Sequence, residues 1–169
     1  MSRLRRIALS DRFFFVTCRI FQGRRLLSER DFVCLAEAVQ SRRAEFGFAL
    51  AAWVFLPNHW HAIFFPRHPV TISTVMKAIK VSAAARINAA SDESGAVWQS
   101  RFFDRMLRTM KEYQETVEYI HSNPVKAGLA QRPEDWTWSS AREYGQSANS
   151  RSALTIDRIE LPVDERMRI

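Results

Sequence analysis

The chain reads as an α+β protein: a ferredoxin-like (split βαβ) antiparallel sheet with helices on one face, followed by a C-terminal extension. Three observations predict this. Apolar residues recur with strand and helix periods in the order βαββαβ, and one more helix follows. The run from Phe46 to Pro57 is continuously apolar but too short to cross a membrane, so it reads as a buried strand. His59-Trp60-His61 then alternates with a period of two, which points both imidazoles to one face of a strand and Trp60 into a core on the other.

Each element has a local reason. Arg12–Ile20 is rich in aromatic and β-branched residues and predicts the first strand, with Gln22-Gly23-Arg24-Arg25 as its exit loop. Ser28-Glu29-Arg30-Asp31 is a variant capping box; the helix it opens carries Phe32, Leu35, Ala36 and Val39 at helical spacing and stops near Gly47. Ala49–Leu56 is the second strand, turning at Pro57-Asn58 into the third, His59–Phe65, which Pro66 and Pro69 end. Thr71 to about Ala90 predicts a helix with Ile72, Val75, Met76, Ile79 and Ala83 on one face. Val97 to about Arg108 reads as a fourth strand and Met110–Ser122 as a third helix, with Asn123 placed to cap a short helix from Pro124 to Leu129. After Ala130 the pattern weakens. Residues 1–130 are therefore read as the working domain and 131–169 as an extension that Trp136, Trp138 and Tyr144 dock, with Ser147–Ile169 loosely held.

Composition narrows the classes of function. Lys and Arg number 25 against 18 acids, for a net charge of +7 and a pI near 10.1. Arginine dominates the excess, and its planar fork suits phosphate, so a polyanionic partner is favoured. Basic clusters fall at Arg3, Arg5 and Arg6; at Arg24 and Arg25; at Lys77, Lys80 and Arg86; and at Arg101, Arg105 and Arg108. Lys77 and Lys80 read equally well as a solvated helix face. Cys18 and Cys34 lack any paired metal-site spacing and read as reduced, packed thiols. The basic start lacks the apolar stretch of a signal peptide, and the expected location is cytoplasmic.

The candidate chemistry lies in two places. The imidazoles of His59 and His61 are a natural pair of metal ligands, because each offers one lone pair and keeps its other nitrogen for a supporting bond. Tyr119 and Asn123 are spaced i, i+4, which presents a phenol and an amide on one helix face. Tyr113, six residues earlier, points nearly opposite, so both phenols cannot face one site.

Four motifs occur in order: Leu-Pro-Asn-His-Trp-His (56–61), Trp-Gln-Ser-Arg-Phe-Phe-Asp (98–104), Tyr-Ile-His-Ser-Asn-Pro-Val-Lys-Ala-Gly-Leu (119–129) and Asp-Trp-Thr-Trp-Ser-Ser (135–140). With them the chain, over roughly residues 10 to 145, resembles the single-strand DNA transposases that carry a His-hydrophobic-His motif and one catalytic tyrosine. Within that group it looks most like the REP-associated tyrosine transposases. One departure is Arg105, where the family commonly has His. The resemblance implies Tyr119 as nucleophile and His59, His61 and Asn123 as ligands of Mg²⁺ or Mn²⁺. It also implies a single-stranded DNA substrate with a hairpin and a short flank, cut through a 5′-phosphotyrosine intermediate. Arg3, Arg5, Arg6, Arg24, Arg25, Arg101, Arg105, Arg108 and Lys126 are the expected DNA contacts. Imidazole is a soft ligand for Mg²⁺, which favours Mn²⁺. A monomer is the expected state. The rival readings are a dimeric mobile-element transposase and a hairpin-binding protein that does not cut.

Overall fold

The computed structural model describes residues 10–145 and 152–159. Arg3, Arg5 and Arg6 lie outside the described residues, as does most of Ser147–Ile169.

Four strands, β1 (Phe13–Arg19), β2 (Ala49–Leu56), β3 (His59–Phe65) and β4 (Phe103–Leu107), form one antiparallel sheet in the order β2-β3-β1-β4. This is the ferredoxin-like arrangement that the element order predicts. Helices α1 (Glu29–Phe46) and α2 (Ile72–Ser91) pack together on one face. Ser28 closes a complete capping box with Asp31, and α1 ends at Gly47, whose φ of 67° suits a residue without Cβ. Thr71 caps α2 through the Thr74 amide.

The core beneath these helices is aromatic. Trp53, Phe55, Trp60 and Phe64 project from β2 and β3 against Phe32, Leu35, Met76 and Ile79, all buried. Burying each such side chain contributes roughly 1.5–3 kcal/mol. Trp60 faces this core, as its position between the two histidines predicts.

Helix α3 (Met110–Lys126) corrects the expectation that the helices share one face. It lies across the opposite face, because Val117 and Ile120 pack against Phe13, Phe15, Val54, Ile63 and Leu107. It also runs further than predicted. Pro124 lies inside the helix, which continues through the Ala127 amide to Asn123 oxygen bond of 2.9 Å, so no separate helix begins at 124. Asn123 is consequently a helical residue rather than a cap. Strand β4 is shorter than predicted: Trp98 makes only an isolated bridge to Ile20.

The segment after Ala130 runs along the outer edge of β2. Phe55 N–H donates to Trp138 oxygen (2.9 Å), Ser140 N–H to Trp53 oxygen (3.0 Å) and Trp136 Nε1–H to Phe55 oxygen (2.9 Å). Residues 152–159 continue the cover: Trp53 Nε1–H donates to Leu154 oxygen (2.9 Å), and Leu50 N–H to the Asp157 carboxylate (2.9 Å). An otherwise bare sheet edge is thereby satisfied within the chain. These eight residues are held, not loose.

Candidate active site

The opposite face of the sheet assembles the site. Residues 13, 15, 17 and 19 of β1 share it with residues 59, 61, 63 and 65 of β3, because β1 and β3 pair with Thr17 opposite His61 and Arg19 opposite His59. The tight turn at Pro57-Asn58 puts His59 at the first position of β3.

The two imidazoles converge. His59 Nε2 and His61 Nε2 lie 3.1 Å apart. The outer nitrogens are tied elsewhere: His59 Nδ1 is 2.6 Å from Asn58 Oδ1, and His61 Nδ1 is 2.8 Å from Thr17 Oγ1. Burial, then the nearby Arg19 charge, pulls the His59 pKa down to about 4. His61, 2% exposed, is pulled down to about 3, first by burial and then by its neighbour His59. Both rings are therefore neutral near pH 7, the state in which imidazole ligates metal.

Helix α3 supplies the remaining groups. Asn123 Nδ2 donates to the backbone oxygen of Tyr119 (2.7 Å), and the Asn123 side chain beside His61 offsets a small part of the burial that lowers its pKa. The Tyr119 ring stands edge-on to His61, with centroids 5.4 Å apart, and to Phe15, at 5.9 Å. It is 43% exposed, so substrate can reach it. Lys126 Nζ sits 5.3 Å from the centre of the same ring. Tyr113 is elsewhere: its hydroxyl lies 3.1 Å from that of Tyr144, which donates to Ala51 oxygen. Burial raises the Tyr144 hydroxyl pKa well above its ordinary range.

The donor set fits a divalent ion. Two nitrogens in adjacent octahedral positions at ~2.1 Å would lie ~3.0 Å apart, close to the observed 3.1 Å separation. Two lone pairs facing each other at that distance repel unless a proton or a cation stands between them. Among the described residues no cluster of three or more His, Cys, Asp or Glu exists. Asn123, beside His61, is the residue whose amide oxygen could complete the set.

The predicted basic residues separate into two groups. Arg105 and Lys126 lie by the site, Arg105 on β4 with Nη2 3.3 Å from Thr116 Oγ1 of α3. Arg101 and Arg108 are exposed at either end of β4. Arg24 and Arg25, by contrast, are engaged by polar and acidic groups of the protein itself. Arg24 bonds Asn88 and Glu93 at 2.7 Å each, and Arg25 bonds Asp31, Ser91 and Glu93. These contacts tie the loop after β1 to α1 and to the residues that follow α2, a structural task that the sequence pattern does not reveal. Lys80 likewise donates to Gln99 and Ser100 oxygens, and Arg86 pairs with Glu37. Thr17, Asn58 and Arg19 were not singled out from sequence. The i, i+2 rule applied to β1 carries the signal for Thr17 and Arg19.

The chain is similar to known proteins over most of its length. Residues 15–123 match the family described as Transposase IS200 like. The REP-associated tyrosine transposase of Escherichia coli (strain K12) is 29% identical over 141 residues, covering 83% of this chain and 82% of that protein. The structure of a REP-associated tyrosine transposase bound to a REP hairpin superimposes with a TM-score of 0.70 at 28% identity, covering 94% of this chain and 99% of the other. A Deinococcus radiodurans R1 structure shares the fold alone, with a TM-score of 0.50 at 16% identity over 65% of this chain and 88% of the other.

Proposed function

Because the chain belongs to the IS200-like transposase family, we propose that it cleaves and rejoins single-stranded DNA at palindromic repeats, with Tyr119 as nucleophile. The observation that carries this reading is the convergence of two neutral imidazoles, the Asn123 amide and the Tyr119 ring where α3 meets one face of the sheet. The relative bound to a REP hairpin supports a hairpin-forming DNA strand as the substrate class.

His59, His61 and Asn123 would hold Mg²⁺ or Mn²⁺. When bound, the ion offsets phosphate charge and fixes the scissile group for in-line attack. The chain's own residues do the rest. The Tyr119 phenolic oxygen gives its proton to solvent and attacks phosphorus, the bond to the 3′ oxygen breaks, and that oxygen takes up a proton as a free 3′-hydroxyl. The 5′ phosphate remains esterified to Tyr119. This ester conserves the phosphodiester, so another 3′-hydroxyl can reverse the step and join without ATP. Lys126, over the Tyr119 ring, and Arg19, beside His59, add positive charge where the phosphate must sit. Thr17 and Asn58 hold the imidazoles in the orientation that frees both Nε2 atoms.

A monomer is the working state in this reading. Residues 136–140 and 154–157 already occupy the β2 edge, which blocks a second copy from pairing there.

The test is covalent capture. Labelled single-stranded palindromes with flanks on both sides are incubated with protein and Mn²⁺ or Mg²⁺, then run on a denaturing gel. An adduct lost with EDTA and with Tyr119→Phe, but kept by Tyr113→Phe, is the expected result. Tight hairpin binding with no adduct under any ion would leave a binding protein instead.

A further inference from the structure

We infer that Phe103 is the stacking platform for the base next to the scissile phosphate; this inference rests on the function proposed above. Phe103 is a large apolar side chain left 55% exposed, on an edge strand beside the site. Its position follows from strand pairing. Thr17 pairs with His61 on one side and with Phe103 on the other, so the three residues form a single row on the same face. Neighbouring strands lie about 4.8 Å apart, which sets the Phe103 backbone roughly two strand spacings from that of His61.

The ring is also oriented. It meets Phe15 edge-on at 6.1 Å, and Phe15 in turn stacks on His61 at 5.3 Å and touches Tyr119 at 5.9 Å. One buried side chain thus supports the ligand, the nucleophile and the exposed ring together. Exposure rises along β4 from Leu107, buried beneath α3, to Phe103. Phe103 is the aromatic of this face that α3 does not roof.

The charges around it identify the occupant. Arg105, two residues along on the same face, is steadied by Thr116 Oγ1, while Asp104 projects to the opposite face of the strand. An exposed aromatic ring beside a cation is the surface that takes an unpaired base together with its phosphate. Phe102 does not compete, since it packs against the other core with Lys80 beside its ring.

The test places 5-iododeoxyuridine, one position at a time, in the flank of a single-stranded hairpin oligonucleotide from the chain's own genome. The hairpin is bound to the Tyr119→Phe protein and irradiated, and crosslinked peptides are sequenced by mass spectrometry. The expected result is a crosslink to Phe103 from one nucleotide adjoining the cut. Phe103→Ala should abolish it and weaken binding roughly 5- to 150-fold, whereas Phe103→Trp should retain both. Crosslinks elsewhere, with Phe103→Ala binding like the parent, would overturn the inference while leaving the cleavage reading intact. A parent protein that neither binds nor cleaves any hairpin would remove the proposed function and this inference with it.

Discussion

Acid should unfold this protein through its buried histidines. His61 and His121 are 2% and 9% exposed, and burial is the first cause of depression for both, to about 3 and about 4 from 6.5. His121, two residues past Tyr119 on α3, places Nε2 2.9 Å from Ser140 Oγ and its ring against Tyr144. The sign follows from the direction of the shift. Each folded pKa lies below its unfolded value, so the unfolded chain binds more protons between those values. Stability is complete above 6.5 and is lost as pH falls toward 4 and below. At about pH 5 each group has cost about 1.5 × 1.36, or about 2 kcal/mol, which gives about 4 kcal/mol for the pair. His59 adds less, being partly open to solvent. That loss is a large share of a total stability of about 5–15 kcal/mol. Urea denaturation at about pH 7.5 and about pH 5 measures it, and His121→Gln should remove about half of the difference. A difference near zero in the parent, or one that His121→Gln leaves untouched, would refute the reasoning.

Further outcomes follow from the same contacts. Ser140→Ala removes a fully buried hydroxyl that accepts from Trp53 N–H at 3.0 Å and meets His121; it should cost about 2–4 kcal/mol in urea denaturation. Mn²⁺ should raise the thermal midpoint of the parent in a concentration-dependent way, and His61→Ala should abolish that rise without DNA present. Arg105→Ala should weaken hairpin binding and lower the salt slope by about 0.7, whereas Arg24→Ala should lower stability and leave the slope unchanged. Equal slopes for Arg105→Ala and the parent would remove Arg105 from the DNA interface.

Local periodicity made much of the site legible. The spacing of His59 and His61 fixes their common face, and the spacing of Tyr119 and Asn123 fixes theirs, whatever the rest of the chain does. The six-residue spacing of Tyr113 from Tyr119 turns it to another side of the helix, and Tyr113 indeed pairs with Tyr144. What periodicity cannot reveal is a partner distant in sequence. Arg24 and Arg25 read as free cations because Glu93 meets them only when the end of α2 folds against the loop after β1. A cap was the alternative reading of Asn123 because a proline follows it, yet α3 runs on because Ala127 still finds the Asn123 carbonyl. The opposite face of the sheet had no roof in the sequence reading. The apolar pair Val117 and Ile120 was the signal that α3 would provide one.

The central claim is that Tyr119 becomes covalently linked to DNA. The direct measurement is mass spectrometry of the adduct formed with Mn²⁺ and a single-stranded hairpin after trypsin digestion. Cleavage after Lys111 and Lys126 releases one peptide that holds both Tyr113 and Tyr119, and its fragment ions separate the two. The account predicts a phosphonucleotide on Tyr119, absent when EDTA is added. The same mass on Tyr113, or cleaved DNA with no tyrosine adduct, would contradict it.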